Sequence, residues 1–129
     1  MPGLDQAIKR NLMMNKFNHL LVTLAFSGYS EGIFNYAADL AKRLHADLTV
    51  LTVINDRDIQ AVSTISSMGY EVDGENYIDA IRQERSDLLE TYRQATDYPA
   101  EKLNVIFKIG NPIVEFLKIC ADKEIDMVV

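Results

Sequence analysis

The chain has 129 residues, enough for one domain, since a domain takes roughly 100 to 200 residues. Hydrophobic residues make up 48% and charged residues 25%, an ordinary globular balance that excludes a disordered or collagen-like chain. Lysine and arginine total 13 against 19 aspartates and glutamates, a formal charge of −6, which is the wrong sign for gathering phosphate backbones and excludes non-specific nucleic-acid binding.

At the N-terminus, Leu4, Ala7, Ile8 and Leu12 recur at helical spacing. They predict a short amphipathic helix in an extension covering residues 1–18, with Met13 and Met14 as alternative starts. Asp5, Lys9, Arg10 and Lys16 interrupt the apolar stretch that a signal peptide requires. The domain proper is expected over residues 19–129. Its first apolar run, Leu20 to Phe26, reads as a buried parallel strand and is far shorter than the roughly 18 residues of a membrane span. A soluble, cytoplasmic protein is expected, and the single cysteine suits a reducing compartment.

Ser27-Gly28-Tyr29-Ser30 breaks the strand, with Ser27 expected to cap a helix and Gly28 to relieve a tight turn. Ile33, Ala37, Leu40, Ala41 and Leu44 then mark one helical face, with Lys42 and Arg43 at the dipole's negative end. Leu48 to Ile54 is a second strand, ended by Asn55-Asp56-Arg57-Asp58, and the three elements make a right-handed βαβ unit. Gln60 to Gly74 shows no clear period and reads as a mobile connection with at most a short helical turn. From Asn76 to Thr96, Ile78, Ile81, Leu88, Tyr92 and Ala95 form the apolar stripe of a surface helix, closed by Tyr98-Pro99.

Leu103 to Ile109 is the third strand, and Asn111 with Pro112 signals the start of the next helix. Ile113, Phe116, Leu117 and Cys120 are expected on its buried face. Ile125 to Val129 opens a fourth strand, and the sequence stops inside it, so a fifth strand is expected beyond. Four strands alternating with three helices predict a doubly wound, Rossmann-like parallel sheet, whose ligands bind beyond the carboxyl ends of the strands.

Three turns therefore carry any site: Ala25 to Ser30, Ile54 to Asp58 and Gly110 to Pro112. The first has no GxGxxG or GK[ST] motif, so neither a dinucleotide fingerprint nor a Walker loop is present. It departs from the SGGxDS loop of pyrophosphate-releasing ATP enzymes, with Tyr29 in place of the second glycine and no aspartate. His19 lies at the wrong end of its strand and His45 at a helix terminus, so neither is placed to activate Ser27, and no catalytic residue is assigned. Cys120 reads as a packing residue, and the two histidines and one cysteine have no metal-ligand spacing. Asp56, Arg57 and Asp58 read as a solvated loop.

From about His19 to Val129 the chain resembles the universal stress proteins. The similarity rests on Leu20 to Ser27, Ala37-Ala38-Asp39-Leu40-Ala41, Leu48 to Ile54, and above all Gly110-Asn111-Pro112 with Ile119, Ala121, Asp126 and Val128-Val129. In nucleotide-binding members an aspartate near the end of the first strand helps hold the adenosine, and a valine ending the second strand contacts it. The resemblance puts Val53 in the valine's place and Ala25 in the aspartate's, and it puts the family's glycine-rich phosphate loop beyond Val129.

Together with the βαβ pattern, the resemblance implies a strand order of 3-2-1-4. It further implies a homodimeric stress-response module of the adenine-nucleotide-binding type, with ATP or AMP binding weakened or absent. The implied nucleotide-site residues are Thr23, Leu24, Ala25, Ser27, Val53 and Gly110. A dimerising interaction protein that binds no nucleotide stays open as an alternative. An ATP-pyrophosphate-releasing enzyme fits the residues less well.

Overall fold

The computed structural model describes residues 17–69 and 74–129. The N-terminal helix expected at Leu4 to Leu12 and the Met13 and Met14 starts lie outside the described residues. Strands β1 (His19–Thr23), β2 (Asp47–Asn55), β3 (Leu103–Gly110) and β4 (Met127–Val128) form one sheet in the order β3-β2-β1-β4. Every neighbouring pair is parallel, so the order and direction expected from the sequence hold. Leu20 and Leu21 at the centre pair with Leu48 and Thr49 on one side and with Met127 and Val128 on the other. Central strands covered on both faces need apolar residues at successive positions. Leu20, Leu21 and Val22 are accordingly all buried, as are Val50, Leu51, Thr52 and Ile54.

Among the described residues four α-helices flank the sheet: α1 (Ser30–Leu44), α2 (Asp56–Ser67), α3 (Gly74–Thr96) and α4 (Pro112–Asp122). One core cluster joins Leu20, Val22, Leu48 and Val50 to Phe34, Ala37, Ala38 and Ala41 of α1 and to Leu89 of α3. The alanines let α1 approach the strands closely, and Phe34 packs on Tyr92 of α3 with ring centroids 5.9 Å apart. On the opposite face Leu21 and Leu51 meet Ile119 of α4, with Phe116, Cys120 and Ile125 beside them. The crossover after β3 runs to the far side of β1, and its helix falls on the other face. The winding therefore reverses between β1 and β4.

Local chemistry overrides several sequence expectations. The stretch expected as a connection from Gln60 begins inside a helix, α2, that follows β2 without a loop. Asn55 caps it by accepting the Arg57 N–H at 3.0 Å, and Asp56 and Asp58 favour the positive end of its dipole. The Asp56-Arg57-Asp58 cluster is thus a first helical turn and not a loop. The first strand stops at Thr23, three residues before Phe26, although the Leu24 N–H still donates to the Leu51 carbonyl at 3.0 Å. Phe26 has a left-handed φ of 59°, which takes the chain off the sheet.

The turn does not need Gly28, since a Cβ there would meet nothing within 4 Å and its φ is not positive. Nor does Ser27 cap α1. Tyr29 occupies the N-cap without a side-chain bond, and Ser27 Oγ accepts only a long 3.4 Å bond from the Tyr29 N–H.

α3 ends before Pro99: Asp97 turns left-handed at φ 55°, and the Tyr98 N–H returns to the Arg93 carbonyl at 3.2 Å. Buried Tyr98 then donates its hydroxyl to the Ala46 carbonyl at 2.9 Å, tying the end of α3 to the start of β2. α4 begins as expected, with Asn111 Oδ1 accepting from Ile113 N–H at 3.0 Å and Val114 N–H at 3.2 Å, and with Pro112 in the first turn. Its buried face differs from expectation. Ile119 is buried with Phe116 and Cys120 half-buried beside it, whereas Ile113 and Leu117 are 71% and 59% exposed. Asp126 anchors the start of β1, its Oδ2 accepting from Asn18 N–H at 2.7 Å and His19 N–H at 2.8 Å.

Candidate functional site

The point where the winding reverses holds an open cavity of about 440 Å³. The departing end of β1 supplies Thr23, Leu24, Ala25 and Ser27, and β2 supplies Leu51 and Val53. Leu51 and Val53 reach one wall together because alternate residues of a strand face the same side. The start of α4 closes the other side with Pro112, Ile113 and Phe116, and Val128 of β4 completes it. Five of the six residues singled out in the sequence thus meet here. Gly110 does not line the cavity. It shapes the approach to α4 instead, with φ 152° and its Cα so close to Glu115 that an added Cβ would lie 3.1 Å from Glu115 Oε1.

Among the described residues that line the cavity there is no ionisable side chain. Its walls are mainly aliphatic, with the hydroxyls of Thr23, Ser27 and Ser30 as the polar side chains. Ser30 is buried, and its Oγ has no hydrogen-bond partner among the described residues, a cost of about 1–3 kcal/mol for an unsatisfied group. Such a surface can cover a flat apolar or aromatic body by contact. It offers no general acid or base and no charged anchor. Ile33, Leu51, Ile113, Phe116 and Val128 were not singled out as site residues, because in isolation each reads as an ordinary core position, and Ser30 was read only as the end of the first turn.

Outside the cavity lining, reaching the same strand ends from α3, sits a residue that the sequence did not mark, Arg85. Its Nη1 donates to Thr52 Oγ1 at 2.5 Å and to the Val53 carbonyl at 3.3 Å, and its guanidinium carbon lies 5.2 Å from the centre of the Phe26 ring. Desolvation lowers its pKa, opposed by the nearby Tyr77, Glu84 and Asp58, though an arginine stays charged at any physiological pH. Only its place on a polar-looking helix was visible in the sequence.

The other candidates lie elsewhere. His19 faces Asp47 at 3.4 Å at the amino ends of the strands, and His45 caps α1 in a left-handed turn at φ 53°. Cys120 packs with Leu21, Leu51 and Ile119. Among the described residues no group of three or more His, Cys, Asp and Glu side chains could hold a metal ion, and no helix is long and apolar enough to cross a membrane.

The family model of the universal stress proteins matches residues 16–129. The chain belongs to the universal stress protein family. A putative universal stress protein of Staphylococcus saprophyticus is 30% identical over 117 residues, which cover 89% of this chain and 65% of the relative. This universal stress protein therefore spans just under two thirds of the length of that relative. Universal stress protein YxiE of Bacillus subtilis is 31% identical over 117 residues, 88% of this chain and 77% of its own. Among solved structures, hypothetical protein MJ0577, the subject of a structure-based assignment of biochemical function, aligns with a TM-score of 0.62 at 20% identity. That alignment covers 88% of this chain and 73% of the other, and it establishes a shared fold.

Proposed function

We propose that this universal stress protein is a stress-response module of the adenine-nucleotide-binding type whose crevice takes the purine of ATP or AMP weakly. The observation that supports the reading is the cavity itself. It brings Val53 and Ala25 to one opening at the reversal of the sheet, with aliphatic walls and no carboxylate at position 25. Apolar surface on Leu51, Val53 and Phe116 is suited to cover a planar base. Without a carboxylate to accept bonds from the ribose and without a lining cation to meet phosphate, affinity rests on apolar contact and on neutral hydroxyls such as those of Thr23 and Ser27. Calorimetry with adenosine, AMP and ATP tests this. Adenosine is expected to bind more weakly than micromolar, that is, with less than about 8 kcal/mol. Micromolar or tighter ATP binding, or no adenosine binding at millimolar concentration, would overturn the reading.

One observation favours the interaction-protein alternative. Tyr29 at the N-cap of α1 and Ile33 and Tyr36 within it stand 80%, 40% and 67% exposed at helical spacing. Under this reading a second copy covers them, and the protein is a homodimer. Light scattering should then give twice the monomer mass, falling to one with Tyr36→Asp. A monomeric unaltered chain would exclude it.

A further inference from the structure

We propose that Arg85 is a positioning residue for the crevice, locking together the two strand ends that form its mouth. The two ends have little else in common. One is the Ala25-Phe26 bend after β1, the other is the Thr52-Val53 stretch near the end of β2, and the hydrogen-bonded ladder between them stops at Leu24. Arg85 reaches both from α3, which belongs to the opposite face of the sheet from α4.

On the β2 side the contact is by direct bonds to Thr52 Oγ1 and the Val53 carbonyl. Thr52 is fully buried, so its hydroxyl is held in one place. On the β1 side the contact is the guanidinium face against the Phe26 ring. Phe26 is where support is most needed, because a non-glycine residue in the left-handed region persists only when its surroundings hold it. It directly follows Ala25, so the orientation of the Phe26 ring and the position of Ala25 are coupled through one peptide unit.

The chemistry suits arginine specifically. A planar guanidinium can donate in its plane to the two oxygens of β2 while offering its face to an aromatic ring, and an ammonium group cannot do both. Among the described residues no carboxylate forms an ion pair with Arg85. Glu84 and Asp58 act on it from a longer range, and its direct contacts are with the strand ends and the ring. An isolated structural cation would be better served by a carboxylate partner.

The inference takes the crevice as the ligand site proposed above, but its decisive test does not require a ligand. Amide hydrogen exchange is to be measured on the whole chain and on its Arg85→Met and Arg85→Lys variants, with thermal unfolding alongside. Arg85→Met should speed exchange at least tenfold over Leu24 to Gly28 and Val53 to Asn55, while Leu20 to Val22 and Leu48 to Val50 stay within twofold. Arg85→Lys should leave the Leu24 to Gly28 segment as fast as the methionine variant does.

Unchanged exchange at both mouths, a uniform rise across the sheet, or full restoration by lysine would overturn the proposal. Should Arg85→Met not fold, Phe26→Leu removes the ring contact alone, and it should loosen Leu24 to Gly28 without Val53 to Asn55. No loosening there would overturn it equally. Adenosine calorimetry on the same variants separates the two claims. If the unaltered chain does not bind adenosine, the purine reading fails while the exchange result still decides the role of Arg85.

Discussion

At the residue scale, the chemistry of the crevice turns on position 25. Ala25 lies in the cavity wall and its methyl group offers only contact, whereas under the proposed nucleotide reading a carboxylate there would accept bonds from a ribose. Ala25→Asp is expected to tighten adenosine binding by at most about 1.5–3 kcal/mol, the worth of a hydrogen bond to a charged group. Calorimetry on the variant and the unaltered chain checks it, and a loss of affinity would place the sugar elsewhere. Gly110 presents the reverse case, a residue whose missing side chain matters. Its φ of 152° and the 3.1 Å approach to Glu115 Oε1 leave an alanine strained there even if the flexible carboxylate moves aside. Gly110→Ala should lower stability by more than about 1 kcal/mol in urea unfolding.

At the element scale, α4 shows how a helix can be correctly placed and wrongly rotated. Its start was legible because Asn111 and Pro112 act on the backbone within one turn. Its rotation was not, since apolar residues occupy most of its circumference: Ile113, Val114, Phe116, Leu117, Ile119 and Cys120. Only contact with Leu21 and Leu51 selects Ile119 as the knob and leaves Leu117 outside. Ile119→Ala should therefore cost about 2–5 kcal/mol and Leu117→Ser less than about 0.5 kcal/mol. Equal losses in denaturant unfolding would mean the helix sits in another rotation. α2 was missed for a different reason. Its Asn55 cap and the Ile59, Val62, Ile65 spacing were present, but only Val62 is buried, so the apolar stripe is narrow and several serines and threonines dilute it.

At the scale of the whole molecule, Tyr98 joins parts of the fold that are distant in sequence. Its hydroxyl binds the carbonyl of Ala46 between α1 and β2, and desolvation, aided by nearby Asp47, pushes its pKa up to about 12 from an ordinary value of 10.0. A phenol held neutral in the folded state and freer to ionise in the unfolded state stabilises the fold fully below the unfolded value. That contribution is lost as pH rises through the folded one. The melting temperature should thus fall between about pH 10 and pH 12, and Tyr98→Phe should flatten that part of the profile while lowering stability by about 1 kcal/mol at pH 7 from the lost bond. A profile unchanged by Tyr98→Phe would show that other groups drive the alkaline loss.

The sequence by itself determined the parallel sheet, because buried central strands must be apolar at successive positions and a βαβ crossover has one hand, while the order β3-β2-β1-β4 was legible only with the resemblance to the universal stress proteins. The resemblance, and not local pattern, singled out Thr23, Leu24, Ala25, Ser27 and Val53, which meet at one crevice because the carboxyl ends of β1 and β2 lie side by side. Tertiary structure alone decided the rest. The left-handed bend at Phe26, the rotation of α4 and the reach of Arg85 across to Thr52 and Val53 depend on partners far along the chain. Local periodicity carries no information about which distant atom a side chain will meet.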